Sequence, residues 1–287
     1  MKTWLKTVCA AAIVLMPGVG QATTKILFVG NSFTYGANSP AMHYRPDTVH
    51  DLNGEGIGGV PALFKALTQE AGLDYDVSLE TSGGKNFDFH YTQKLAVIDK
   101  PWDVVVLQGY STLDAKTPGD ATNLTRYAVL LADEFHKQNP GVELWLDATW
   151  SRPDLTYPEG THWHGQPIEQ MALDVRKGYD QAKAASPLFK GVMPVGQAFN
   201  LAIKDGVADP NPYDGISFNQ LDLWTWDHYH ASAAGYYLEA LVEFGAITGK
   251  DPATFGAHEP CAADMGLSSV QAVNLQKVAH DILTPAP

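Results

Sequence analysis

A chain of 287 residues with 32 acidic and 19 basic side chains carries a formal net charge of −13. A surface this acidic repels nucleic acid and anionic membrane, which argues against both as partners. Of the two cysteines, Cys9 lies in a leader-like segment. Cys261 then stands alone, unable to form an internal disulfide and expected to be an inert thiol.

Residues 1–22 read as a secretory signal peptide. Lys2 and Lys6 form a basic start, Val8 to Met16 an apolar run, and Gly20-Gln-Ala22 a small-x-Ala cleavage site. The run is short of the roughly 20 residues that span a bilayer. The expected mature protein is secreted or periplasmic, with no stable membrane insertion. Losing two lysines takes its charge to −15. No linker, repeat or low-complexity stretch divides residues 23–287, so a single domain is expected.

In chain order, Lys25 to Val29 has the composition of a buried strand and ends in Gly30-Asn31-Ser32. Thr34 to Gly59 shows no clear period and is expected to be a functional loop. Val60 to Ala71 has helical spacing closed by Gly72, and Tyr75 to Thr81 alternates as a strand. The glycine turn Ser82-Gly83-Gly84-Lys85-Asn86 follows, then a possible helix from Phe87 to Ile98. Trp102 to Leu107 is a β-branched run typical of a strand covered on both faces. Further along, Thr122–Lys137, Pro167–Ala185, Gly196–Lys204 and Ala231–Thr248 read as helices. Val142–Ala148 and Leu188–Val195 read as strands. This alternation predicts an α/β fold: a three-layer α/β/α sandwich around a central, mostly parallel, five-stranded sheet. In such sheets ligands bind beyond the carboxyl ends of the strands.

Ser32 falls at such an end. A serine hydroxyl needs a base within hydrogen-bond reach to act as a nucleophile. The candidate base is His230, in Asp227-His-Tyr-His230 just ahead of a helix. Three residues of spacing let Asp227 fold back and hold its tautomer, as in a Ser-His-Asp relay. His228 competes for the same aspartate, and Asp222 is a weaker third member.

Gly-Asn-Ser after the first strand, with Asp-x-x-His before the last helix, resembles the first and last blocks of the SGNH (GDSL-like) hydrolases. The likeness spans most of the mature chain but rests on about ten specific residues. It implies a flavodoxin-like sandwich and a serine ester hydrolase with Ser32, Asp227 and His230 as its catalytic triad. It also implies an oxyanion hole built from the Ser32 N–H and the Gly84 N–H, with Gly83 a near-tie. The third block departs from the family, since Leu107-Gln108-Gly109 stands where Gly-x-Asn is usual. Gln108 carries the same amide one methylene further out and is assigned the third donor. Asn31 matches the asparagine variant of carbohydrate-active members and is expected to brace the turn. It is grouped with Trp224, Trp226 and His90 as possible substrate contacts.

His162-Trp-His164, with Asp227 and His228, offers ligand types for zinc but not diagnostic spacing, so no metal and no cofactor are expected. Trp150, Trp163, Trp224 and Trp226 lie in loops, either covering the core or forming a platform for a sugar ring. Gly54 to Gly59 lacks a phosphate-loop pattern. The expected activity is removal of a short acyl group from a carbohydrate or similar polar carrier. The partner is then a small-molecule or glycan ester. Rival readings are a lipase or lysophospholipase, acyl transfer to another sugar, a non-catalytic carbohydrate-binding protein, and a metal-dependent hydrolase. Oligomeric state is left open.

Overall fold

The computed structural model describes residues 22–284. The expected signal peptide therefore lies outside the described residues, except for its last position. In chain order the elements are β1 (Thr24–Gly30), β2 (His50–Asp51), α1 (Gly59–Glu70), β3 (Tyr75–Thr81) and α2 (Phe87–Phe89). A π turn over His90–Lys94 leads to α3 (Leu95–Ile98), β4 (Val104–Leu107), α4 (Thr122–Gln138), β5 (Glu143–Asp147) and α5 (Pro153–Thr156). Then come α6 (Glu169–Ala185), β6 (Phe189–Met193), α7 (Val195–Lys204), α8 (Ala233–Thr248), α9 (Pro260–Asp264) and α10 (Ser269–Leu283).

The strands form one sheet in the order β2-β3-β1-β4-β5-β6, and every pairing is parallel. The sequence led us to expect five strands. The sixth, β2, is a two-residue edge strand inside the segment expected to be loop, too short to show a period.

Alternation along β1 explains why its run is apolar throughout. Ile26 and Phe28 join one core cluster, with α1, α7, α8 and α10, while Leu27 and Val29 join the other, with α4 and α6. Both faces are covered, so no polar position is tolerated. The register then brings three loops to one level, because Gly30 pairs with Thr81 and Val29 with Leu107. Chain segments 31–37, 82–86 and 108–113 leave the sheet side by side. β1 lies between β3 and β4, so the crossovers diverge there and open the crevice where doubly wound sheets bind ligands.

Candidate active site

Ser32 stands in a compact turn just past β1. The Tyr35 N–H donates to Asn31 O and the Ala37 N–H to Ser32 O, both at 3.0 Å. Gly30 permits this approach, since a Cβ there would lie 2.0 Å from Thr34 Oγ1. Asn31 ties the three loops together. Its Nδ2 donates to Lys85 O at 3.0 Å and Gly109 O at 2.9 Å, and its Oδ1 accepts the Phe33 N–H at 3.1 Å.

Asp227 and His230 arrive from the turn ahead of α8, whose N-cap Ser232 accepts the Gly235 N–H at 3.3 Å. Asp227 folds back on this turn. Its Oδ1 accepts from the Thr225 hydroxyl at 2.7 Å, the Tyr229 N–H at 3.0 Å and the His230 N–H at 2.9 Å. Its Oδ2 meets His230 Nδ1 at 2.6 Å and accepts from Asn38 Nδ2 at 2.7 Å. Burial pushes the Asp227 carboxyl up, but the bonds from the His230 ring and N–H, Thr225 and Tyr229 overcome it. They hold the group well below the usual carboxylate range. With Nδ1–H given to an ionised carboxylate, Nε2 carries the lone pair of the neutral ring. That Nε2 is buried and has no partner among the described residues.

Serine and histidine belong to one neighbourhood. The Phe33 ring centroid is 5.7 Å from that of His230, and the Tyr236 hydroxyl of α8 donates to Ser32 O at 3.3 Å. The Ser32 hydroxyl and His230 Nε2 are not hydrogen-bonded to one another. Catalytic hydrogen bonds are often long in free enzymes and tighten only with substrate. Behind the imidazole, Tyr229 stacks on His230 with centroids 4.1 Å apart and planes at 26°. The Arg152 guanidinium sits 3.5 Å over the Tyr229 ring and is forked onto Asp154 at 3.0 and 2.6 Å.

The sequence matches no protein-family model and no curated protein. Solved structures do match. A DUF4886 family protein from Bacteroides uniformis is 18% identical with a TM-score of 0.60, over 92% of this chain and 96% of that one. A GDSL-like lipase candidate from Parabacteroides merdae is 19% identical with a TM-score of 0.53, over 79% of this chain and 95% of that one. An acetyl xylan esterase is 17% identical with a TM-score of 0.50, over 78% of this chain and 99% of that one. The chain has the SGNH-hydrolase fold.

Within that SGNH fold, several residues stand where the sequence did not lead us to expect them. The Gln108 amide is bound into the β1 turn. Its Oε1 accepts from the Asn31 N–H and the Thr34 hydroxyl, both at 3.0 Å, and its Nε2 donates to the Gly109 carbonyl. The extra methylene lets the side chain fold back, and Gln108 becomes a brace of the β1 turn. The N–H groups of Ser32 and Gly84 donate to no described residue. Gly84 holds φ at +68°, a conformation costly for any side chain.

As substrate contacts, Asn31, His90 and Trp224 are corrected. Asn31 is buried with its amide fully engaged. His90 is fully buried, its Nδ1 2.5 Å from Glu80. Trp224 is buried and donates from Nε1 to Ser151 O at 2.9 Å. Trp150 and Trp163 are core residues too, whereas Trp226 is 78% exposed. His228 turns its ring to Tyr213 at 4.2 Å, and Asp222 accepts from the Trp224 N–H, so neither engages the dyad. His164 Nδ1 lies 3.0 Å from Tyr157 O, and the His162–His164 pair forms no ligand cluster with Asp227 and His228 among the described residues. Cys261 is buried, and burial pushes its thiol far up, which leaves it unreactive.

Sequence reasoning missed Asn38, Tyr229 and Arg152. The first has a left-handed backbone, φ +60°, that asparagine tolerates but does not announce. Next to the Gly84 turn, Gly84, Lys85, Asn86, Phe89 and Tyr110 line a cavity of about 370 Å³.

Proposed function

We propose that this protein is a serine ester hydrolase that removes a short acyl group from a carbohydrate or similarly polar carrier. The observation that carries the reading is the Asp227–His230 pair at 2.6 Å, its Nε2 free, beside a serine at the head of the central strand. Ser32 Oγ attacks the ester carbonyl as His230 Nε2 takes its proton, and Asp227 stabilises the imidazolium that forms. The N–H groups of Ser32 and Gly84 are the donors available to the oxyanion. The alcohol leaves with the proton from His230. Water activated by the same ring then releases the acid, so no cofactor is required. The polar cavity beside Gly84 and the exposed Trp226 favour a sugar over a lipid carrier, and the leader-like residues 1–22 favour export.

Hydrolysis of p-nitrophenyl acetate, with labelling of Ser32 by a fluorophosphonate, tests this. Both are expected in the wild type and absent in Ser32→Ala and His230→Ala. Activity untouched in both variants refutes the assignment. One observation favours a carbohydrate-binding protein without catalysis: the Gln108 amide, assigned the third oxyanion donor, is engaged by Asn31, Thr34 and Gly109. That reading requires no labelling and no turnover, with acylated sugar still bound.

A further inference from the structure

Away from the serine site, the core holds three carboxylates with no counter-ion among the described residues. Asp147 ends β5, and Glu239 and Glu243 lie one turn apart on α8. Asp147 and Glu239 are wholly buried and Glu243 is 1% exposed. One oxygen from each lies within 4.8 Å of the others. Both oxygens of Asp147, both of Glu239 and Oε2 of Glu243 receive no hydrogen bond from any described residue outside the cluster. Within it burial pushes all three carboxyls up, and Asp147 and Glu239 are placed to share a proton.

The pair on α8 alone is a like-charge contact that destabilises a helix. Asp147 adds to it from a different element, a fully buried side chain of the sheet aimed at the two glutamates and met by no group outside the cluster among the described residues. A buried ion without a partner costs several kcal/mol, and buried polar atoms are nearly always satisfied. Either shared protons or a bound cation meets these oxygens.

We propose that Asp147, Glu239 and Glu243 bind one calcium ion as a structural site. Ligand oxygens at about 2.3–2.6 Å from an ion lie no more than about 5 Å apart, which matches their spacing. Three carboxylates supply up to six oxygens, within the range calcium takes, and bidentate binding suits it. Magnesium demands a near-ideal octahedron and gives up its waters reluctantly, which suits a wholly buried carboxylate set less well. No histidine or thiolate joins the set, which disfavours zinc and copper. The ion would pin α8 to β5, and α8 begins three residues after His230. The site is independent of the proposed hydrolase activity.

Because the cluster is closed, the ion enters as the chain folds, so the test is a refolding experiment on the full protein. Wild type is unfolded and refolded with calcium chloride or with chelator; one portion is desalted for metal content, and the other is melted in its refolding buffer. About one calcium per chain is expected, with a melting temperature raised by roughly 5–10 °C at a hundredfold excess over Kd. The double variant Glu239→Gln/Glu243→Gln is expected to hold no calcium and to melt alike in both buffers. If it does not refold, Glu243→Gln alone is expected to lose most of the shift. Wild type that refolds without bound calcium and with unchanged melting overturns the proposal and assigns the cluster to shared protons. Equal calcium in wild type and variant overturns it as well.

Discussion

Asn38 and Asp227, 189 positions apart, are joined by a 2.7 Å hydrogen bond from Asn38 Nδ2 to the carboxylate oxygen that also holds His230. Asn38 belongs to the turn that carries Ser32, so the bond couples the Ser32 loop to the Asp227–His230 pair. Asn38→Gly deletes the amide without straining a backbone at φ +60°. A hydrogen bond to a charged group contributes about 1.5–3 kcal/mol. We expect kcat on p-nitrophenyl acetate to fall roughly 10- to 100-fold, with KM little changed. A fall confined to KM would show that Asn38 touches substrate and does not position the dyad.

Gln108 separates bracing from catalysis. Its Oε1 serves two buried donors, and Gln108→Leu strands the Asn31 N–H and the Thr34 hydroxyl. Each stranded group costs about 1–3 kcal/mol. Urea unfolding is expected to show at least about 2 kcal/mol lost. Unchanged stability with a rate reduced by about 10²–10³ would instead return Gln108 to the oxyanion hole.

The sequence was most legible where period and punctuation agree. The β-branched run Val104–Leu107 and the helix before Gly249 announced themselves through alternation, spacing and a glycine C-cap at φ +68°. The 2.6 Å Asp227–His230 pair was legible in its three-residue spacing ahead of α8, and the place of Ser32 in the glycine that ends β1. What stayed hidden depends on tertiary placement. Trp224 and Trp226 are two residues apart in one loop, yet one is core and the other 78% exposed. Gln108 looks like a donor in sequence, and only the Asn31 N–H shows where its amide goes. Asp147 stood in a strand without distinction until α8 brought Glu239 and Glu243 over it. Helix α10 is a different case, for its Ser268–Gln271 capping box is a local signal written in the sequence itself.

The tryptophans give a paired test. Trp150 lies between Phe33 at 4.2 Å and Phe199 at 5.0 Å, behind the serine turn. Trp150→Ala is expected to cost about 3–5 kcal/mol of stability, and with it the order of the Ser32 loop. Trp226→Ala is expected to leave stability within about 0.5 kcal/mol. If Trp226 is a sugar platform, its loss raises KM for an acetylated oligosaccharide and leaves p-nitrophenyl acetate untouched. Equal effects on both substrates would remove Trp226 from carrier recognition.

Glu70, at the end of α1, sets a pH dependence separate from catalysis. Partial burial, a shared hydrogen bond with Glu259 and the charge of Glu259 push its carboxyl up to about 7. Glu259 caps α9 through the Cys261 N–H at 2.7 Å and the Ala262 N–H at 2.6 Å, so it is held in place. A folded-state pKa above the unfolded value means that the fold prefers the protonated acid. Stability from this group is therefore whole below about pH 4.5, declines as pH rises towards 7, and is flat above it. Glu70→Gln mimics the protonated form at every pH. The difference in urea midpoint between variant and wild type is expected to be near zero at pH 4, to grow between pH 4.5 and 7, and then to level. A difference that stays constant across that window would show that Glu70 and Glu259 do not interact in the folded protein.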